Sequence, residues 1–391
     1  MSLLVVVAGL LAGAFLQVLR TRTMSHWKYV GVDLHMRLNE AECVMSGVDP
    51  YLVWSGRIPT DRYVPWEWRH LANRNVHDRL IHSYPPWSYA YVMPLAALPR
   101  RIAVACYAVL QVLVVLGICA YAWRIGYVTA GRSIMAGLAF LAAALSLSAS
   151  VCACLLVMNY GILIAGSVLL AIVCHRRGHD CIAGLFWGFS MVKPQIGLVF
   201  TIPLLFQRKW KTLAVEGGVL LAATLVSSAF CCRSPIAMVL AVLDYSAGQF
   251  CRTGLFGHRL LALSSQSCWA AALSVCNAVA VIGLCSLCSF FLRRERDSLI
   301  WSMPALFLST LFLASRSHDF AVWMIGGISL AYSAVVLKMR IWGYVSLLAL
   351  CCTVIGGLWP DGNDFVCWSS LAVCLTLPIV CRETWRAERR V

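Results

Sequence analysis

Residues 102–123 read IAVACYAVLQVLVVLGICAYAW, without a single charged side chain. About 20 consecutive apolar residues are enough for an α-helix to cross a bilayer. Further apolar runs of comparable length lie at about 2–19, 133–157, 160–174, 212–230, 269–292, 298–315, 320–337, 341–358 and 365–381. Hydrophobic residues make up 61% of the 391-residue chain and charged residues 13%, whereas about a quarter of the residues in soluble domains are charged. The sequence therefore predicts an all-α membrane protein, a polytopic helical bundle of about 10–13 spans that forms one integral domain over residues 1–391.

The formal net charge of +15 would suit a nucleic-acid-binding protein, but the Lys and Arg residues stand in short clusters between apolar segments. A nucleic-acid interface would need them together on one polar face. Clusters of this kind instead suit the positive-inside rule, by which the cytoplasmic loops of membrane proteins are rich in Lys and Arg. We therefore expect the lipid bilayer as a partner and no nucleic acid.

Two stretches leave open how the chain passes through the membrane. Residues 85–99 are short and contain Pro94, and residues 181–206 are long and interrupted by Lys193-Pro194. In the favoured arrangement, 85–99 does not fully cross and 181–206 forms a hairpin with Lys193 at its tip. The basic clusters then face the cytoplasm together, at Arg124/Arg132, Arg176/Arg177, Arg208/Lys209/Lys211, Arg293/Arg294/Arg296, Lys338/Arg340 and the C-terminal tail 382–391. In the rival arrangement, 85–99 crosses and 181–206 is one span, which moves the first two of these clusters outside.

The favoured arrangement places the long polar loop 20–85 on the outer face, toward the periplasm or the cell exterior. This loop holds seven of the 17 carboxylates and five of the nine histidines. Within it, apolar residues recur at helical spacing at Leu34, Leu38, Ala41 and Met45. Gly47 follows as a typical C-terminal stop, so we expect a short juxtamembrane helix lying on the membrane surface. We interpret the loop as part of an active site.

Asp33 and Lys193 are the first candidates for chemistry. Asp33 could act as a general base that takes the proton from an acceptor hydroxyl, or it could cap the helix that follows it. Lys193 interrupts an apolar run, and a cation at membrane depth is costly enough to suggest a function, with a phosphate as its natural partner. The alternative is a lysine at the end of a half-span whose ammonium group extends to the interface.

A second candidate cluster is the turn between the runs 298–315 and 320–337. Arg316, His318 and Asp319 combine a cation, a titratable ring and a carboxylate within four residues. The alternative is an ordinary polar turn.

Metal and nucleotide sites have no sequence support. The histidines lack zinc-type spacing, and no CxxC pair has a matching partner pair. There is also no P-loop, no GxGxxG after a strand and no GxSxG. We expect neither a metal nor a cofactor.

Several short motifs follow one another along the chain. In order they are Asp33 with its short helix, Gly47-Val48-Asp49-Pro50-Tyr51, Tyr84-Pro85-Pro86 leading to Pro94-Leu95-Ala96-Ala97-Leu98-Pro99, Asn159-Tyr160-Gly161, Ala183-Gly184 through Lys193-Pro194 to Arg208-Lys209-Trp210, and Ser317-His318-Asp319. Over residues 1 to about 340 this order resembles the polytopic GT-C glycosyltransferases, most closely glycosyltransferase family 87, the polyprenol-phosphate-mannose-dependent mannosyltransferase type. One departure is at Asn159, before which many relatives carry a Gly-Gln pair.

The resemblance implies transfer of a sugar, mannose, from a polyprenyl-phosphate donor to a lipid or glycan acceptor on the outer face, with inversion and without a metal. It assigns the catalytic carboxylate to Asp33 and an assisting role to His318. The donor phosphate would be held by Lys193 and Arg316, or by an arginine of the loop. Further substrate-binding candidates are Asp49, Tyr51, Tyr84, Asn159 and Asp319.

Two other functions compete with this interpretation. A transporter or flippase of a lipid-linked sugar could use Asp33, Lys193 and His318 to bind its cargo or relay protons without breaking a bond. A noncatalytic subunit of a cell-envelope complex is the third class. Only the enzyme would form a new glycosidic product.

Overall fold

The computed structural model describes residues 31–54, 84–144, 148–242, 267–313, 321–336 and 381–382. Within these ranges the chain is helical apart from turns, and no strand occurs there. The all-α prediction is therefore confirmed for the described part of the chain. The predicted runs 2–19 and 341–358 and most of 365–381 lie outside it.

The helices are α1 (Val32–Met45), α2 (Pro50–Trp54), α3 (Pro86–Ala96), α4 (Arg100–Thr129), α5 (Ile134–Ala144), α6 (Ser148–Val157), α7 (Gly161–Arg176), α8 (Asp180–Ser190), α9 (Pro194–Phe206), α10 (Trp210–Phe230), α11 (Ser267–Phe291), α12 (Ser298–Trp301), α13 (Met303–Leu313) and α14 (Trp323–Val336). Two predicted single segments contain two helices each. The run 133–157 contains α5 and α6, and the run 298–315 contains α12 and α13. Pro304 in the first turn of α13 lacks an N–H group, which fits a helix that restarts there.

Two of the described helices, α4 and α10, are long and apolar enough to cross a membrane. The outer side of α4 carries large apolar side chains, with Val109, Leu113 and Leu116 each 58–59% exposed. A surface of this kind suits lipid better than water. The exposed apolar face and the composition of the chain together support a membrane protein.

Helix α7 is the centre of the described helices. Nearly all of its side chains are buried, and it packs between α4 and α8. A Cβ atom at Gly166 would lie 2.5 Å from Cγ1 of Val114, so only glycine allows α4 to approach this closely. With 16 residues, α7 is about 24 Å long. Its two ends therefore define two separate polar regions.

The helices α8 and α9 form the predicted hairpin. Asp180 begins α8 and Lys209 follows the end of α9, yet Nζ of Lys209 lies 3.1 Å from Oδ1 of Asp180. The first arm therefore begins, and the second arm ends, at the same end of the protein. Lys193 lies at the tip between them, before Pro194. A single span over 181–206, as in the rival arrangement, would place these two charges at opposite ends and is wrong, whereas the crossing of 85–99 stays a prediction.

The same end of the protein gathers the described basic clusters. Arg176 at the end of α7 pairs with Asp297, and its guanidinium also donates to the Tyr121 hydroxyl of α4, one turn before Arg124. The Gln207 side chain donates to the carbonyl of Leu292, next to Arg293. We call this region the basic end.

Helix α1 differs from its prediction. Its bounds agree with the apolar spacing, and Gly47 follows its C-terminus at φ 75°, a conformation that favours glycine. Its polar side chains Arg37, Asn39 and Glu40 are buried together with Leu34, Leu38 and Ala41, because the helix packs under α3. A helix that lies on the membrane surface would keep its polar side in water, so that part of the prediction is wrong.

Candidate active site

The centre of the candidate site is a chain of three buried polar side chains. Nδ2 of Asn159 donates to Oδ2 of Asp33 at 2.5 Å, and Oδ1 of the same amide accepts from Nζ of Lys193 at 2.8 Å. The three residues are between 3% and 6% exposed. The structure therefore brings together Asp33, Asn159 and Lys193, which come from three distant parts of the sequence.

Local backbone features explain how the three side chains meet. Gly31, at φ 72°, turns the chain into α1, and its N–H donates to the carbonyl of Leu156 at 2.7 Å. This bond ties the start of α1 to the end of α6, just before Asn159. Asp33 lies in the first turn of α1, and the N-cap is Gly31, with no side-chain cap bond. The capping alternative is therefore not observed, because the Asp33 carboxylate bonds to Asn159 instead.

Lys193 lies where the chain cannot remain helical. It is the extended N-cap residue of α9, with φ −112° and ψ 91°, and Pro194 follows at the first helical position. Proline disfavours a helical conformation in the residue before it. The break turns the lysine side chain inward, where it reaches Asn159.

A buried ion pair lies beside this centre. Nη1 of Arg37 lies 2.5 Å from Oε2 of Glu40, and the two side chains are 4% and 1% exposed. The guanidinium also stacks over the Tyr84 ring, with 4.2 Å to the ring centroid. Burial lowers the pKa of Arg37, but Glu40 and the neighbouring tyrosines more than offset this and raise it above its ordinary value. Arg37 therefore remains a cation next to the site.

Tyrosines connect the ion pair to the centre. The Tyr84 ring packs edge-on against Tyr160, with centroids 5.4 Å apart, and Tyr160 directly follows Asn159. The Tyr51 hydroxyl donates to the Tyr84 carbonyl at 2.6 Å. Burial raises the pKa of Tyr51 well above its ordinary value, so the phenol keeps its proton and remains a donor. Tyr51 and Tyr84 thus lie beside the Arg37–Glu40 pair, and Tyr84 reaches the centre through Tyr160.

Asp49 is held by protein groups at the rim of this region. Its Oδ1 accepts the Tyr51 N–H at 2.8 Å, and its Oδ2 pairs with Arg233. The first contact closes the turn before α2, and the second ties that turn to the end of α10. A substrate that bound Asp49 would have to share or displace these contacts.

Sequence reasoning missed three residues of this region. Gln111 is fully buried in α4, and its Nε2 donates to the Asn159 carbonyl at 2.7 Å. It is the amide in the middle of the apolar run 102–123, and a polar group at membrane depth is a signal in itself. Arg37 stands four residues after Asp33 and so shares a helix face with it. Arg233, which pairs with Asp49, had no comparable signal.

Arg316, His318 and Asp319 lie outside the described residues, so their assigned roles stay predictions. Among the described residues, no group of three His, Cys, Asp or Glu side chains is arranged to hold a metal ion. The residues that are placed offer a carboxylate and an ammonium group joined by one amide, with little exposure to water. In such a setting, charges act on a bound substrate more strongly than they do in water.

Comparison with known proteins identifies the family of the chain. No curated protein and no solved structure matches the chain. The model of glycosyltransferase family 87 matches residues 82–315, more than half of the chain. The matched part includes Tyr84, Asn159 and Lys193, and Asp33 lies before it. A match of this extent confirms the resemblance seen in the sequence, and the chain belongs to glycosyltransferase family 87.

Proposed function

We propose that this glycosyltransferase moves mannose from a polyprenyl-phosphate donor to a lipid or glycan acceptor on the outer face of the membrane, with inversion and without a metal. The observation that carries the proposal is the shared contact of Asp33 and Lys193 with Asn159. It joins a candidate base to a candidate phosphate-binding cation within one buried site.

The reaction assigns one task to each charge. The acceptor hydroxyl attacks the anomeric carbon of the donor, and its proton passes to the Asp33 carboxylate. The bond between the anomeric carbon and the phosphate oxygen breaks, so the polyprenyl phosphate leaves with the bonding electrons. Lys193 stabilises the negative charge that develops on that phosphate. Arg316 and His318 are predicted to assist there, and Asp319 to contact the substrate.

The distribution of charge supports an outer-face site. Exposed cations gather at the basic end, among them Arg177, Arg208 and Lys211, whereas Asp33 and Asn159 lie at the other end of α7. By the positive-inside rule the basic end faces the cytoplasm. We therefore propose a multi-pass protein of the cell membrane with its site toward the periplasm or cell exterior and a cytoplasmic C-terminus.

The proposal is tested with the purified full chain in lipid vesicles, supplied with radiolabelled polyprenyl-phosphate-mannose and a lipid extract as acceptor. The wild-type protein should form a labelled product. Asp33→Asn should lower turnover about 10²–10⁴-fold, because the amide cannot take the proton. The matched control is Asp180→Asn at the basic end, which should leave turnover within about threefold of wild type, since a partly exposed ion pair at the other end of α7 contributes little to the site.

Three outcomes would contradict parts of the proposal. Full activity of Asp33→Asn would remove Asp33 from the reaction. A product formed only from a polyprenyl-phosphate donor with a different sugar would overturn the mannose assignment. Transfer of intact labelled donor across the vesicle membrane, with no new product, would favour the flippase.

A further inference from the structure

The strongest further evidence concerns Asn159, whose polar atoms all have protein partners. Its N–H donates to the Cys154 carbonyl at 3.1 Å, and its own carbonyl accepts from Gln111. Its side-chain oxygen accepts from Lys193 and from the Gly161 N–H, and its side-chain nitrogen donates to Asp33. A residue that bound the substrate directly would be expected to direct a polar atom toward it.

The Gly161 contact fixes which way the amide points. A backbone N–H is always a donor, so the side-chain atom 3.0 Å from Gly161 must be the oxygen. The nitrogen is then directed at the Asp33 carboxylate. The negative end of the amide dipole faces the Lys193 ammonium group, and the positive end faces Asp33. Each charge is therefore next to the end of the amide that stabilises it.

Few other side chains could make this set of contacts. A carboxylate at this position could accept from Gly161 and Lys193, but it would repel Asp33. An alanine would leave a buried lysine and a buried carboxylate without their shared partner. The position calls for an acceptor and a donor on one short side chain, which asparagine supplies.

We infer that Asn159 is a positioning residue, which sets the orientation of the Asp33 carboxylate and the Lys193 ammonium group for the reaction and does not itself bind the substrate. The inference rests on the proposed function, since it assigns to Asn159 the alignment of that function's base and phosphate-binding cation. Gln111 supports the arrangement from α4 by holding the Asn159 backbone. This inference differs from the substrate-binding role that the sequence predicts for Asn159.

The first test separates turnover from substrate affinity. Asn159→Asp keeps the acceptors for Gly161 and Lys193 and removes the donor toward Asp33. It should lower kcat about 10²-fold and leave the KM for polyprenyl-phosphate-mannose within about threefold. The matched control is Asn39→Asp, another buried asparagine, whose Oδ1 accepts from Arg100 at 2.6 Å. It should change neither constant by more than about twofold.

The second test is independent of activity. The melting temperature is measured for wild type, Asp33→Asn, Asn159→Asp and the double variant that exchanges the two side chains. Asn159→Asp alone should melt several degrees below wild type, because two carboxylates then face each other. The double variant restores a donor and an acceptor between the positions, so it should recover most of that loss while remaining inactive.

Two results would overturn the inference. One is a raised donor KM with unchanged kcat in Asn159→Asp, which would show direct substrate binding. The other is a double variant whose change in melting temperature equals the sum of the changes in the two single variants, which would show that the two positions are not coupled. If wild type forms no product from any donor, the proposed function fails, and the melting temperatures still decide whether Asn159 holds Asp33.

Discussion

The two ends of α7 hold their charges in different ways. At the Asn159 end, Asp33, Lys193, Arg37 and Glu40 are all at most 6% exposed. At the basic end, the side chains of the Arg176–Asp297 pair are 29% and 19% exposed, and both members of the Lys209–Asp180 pair are 28% exposed. Further arginines at the basic end, such as Arg177 and Arg208, are exposed.

This difference distinguishes the candidate site from a region of partly exposed ion pairs. Removing an ion from water costs several kcal/mol even when it finds a partner, so buried charges are retained where they have a task. Partly exposed pairs cost little and contribute little. Asp33 and Lys193 are thus the candidates for chemistry, and the pairs at the basic end join helix ends.

The largest difference in turnover is expected between variants of Lys193 and Lys209. Lys193→Met should lower turnover about 10²–10³-fold, because the departing phosphate loses its stabilising cation. Lys209→Met at the basic end should remain within about threefold of wild type. Both are measured as rates of labelled product formation at saturating donor. Equal losses would show that Lys193 has no special part in the reaction.

The two arginines should differ in their effect on stability. Arg37→Met leaves Glu40 buried without its arginine, and the free energy of unfolding should fall by about 3–5 kcal/mol. Arg176→Met removes a partly exposed pair and should cost about 1 kcal/mol or less. Denaturant titration in mixed micelles measures both changes.

The ionic strength of the buffer provides a further test of the difference between the two arginine variants. Raising the ionic strength from about 0.1 M to 1 M should reduce the effect of Arg176→Met and leave that of Arg37→Met unchanged, because salt screens only accessible charges. A loss at Arg37 that fell with salt as much as the loss at Arg176 would contradict the burial described for that pair.

The smallest contrast compares two tyrosine hydroxyls. Tyr51→Phe removes the 2.6 Å bond to the Tyr84 carbonyl and should cost about 1 kcal/mol of stability, since the Tyr89 hydroxyl still reaches that carbonyl at 3.2 Å. Tyr332→Phe removes the bonds that join its hydroxyl to Asp297 and Arg176 at the basic end, where these two residues still pair with each other, and should cost less. The same denaturant titrations measure the loss of stability in both variants. A larger loss for Tyr332→Phe than for Tyr51→Phe would contradict the prediction.

Local sequence patterns predicted the elements well. The apolar runs predicted α7 and α10 to within two residues and α4 to within six, and the break at Lys193-Pro194 lies where proline requires it. The spacing of Leu34, Leu38 and Ala41 also predicted α1. These features depend on residues that are neighbours in the chain, which is why sequence alone was enough.

The contacts between elements were not predictable in the same way. The bond between Asp33 and Asn159 joins residues 126 positions apart, and no periodic pattern records such a pairing. The burial of Arg37 and Glu40 could not be predicted, because an apolar stripe identifies only one buried face of a helix. Charge clustering did carry long-range information, since it predicted Arg176, Lys209 and Arg293 at the same end of the protein, where the structure has them.

The length of the hairpin determines how deep Lys193 would lie in the membrane. Its arms have 11 and 13 residues and are therefore about 17 and 20 Å long, whereas the hydrocarbon layer of a bilayer is about 30 Å thick. With Asp180 and Lys209 at one interface, the tip stops roughly 10 Å short of the other. Lys193 would then lie below the headgroups of the far leaflet. For the phosphate of a lipid donor to contact the lysine, either the phosphate would have to move deeper into the membrane or the bilayer would have to be thinner there.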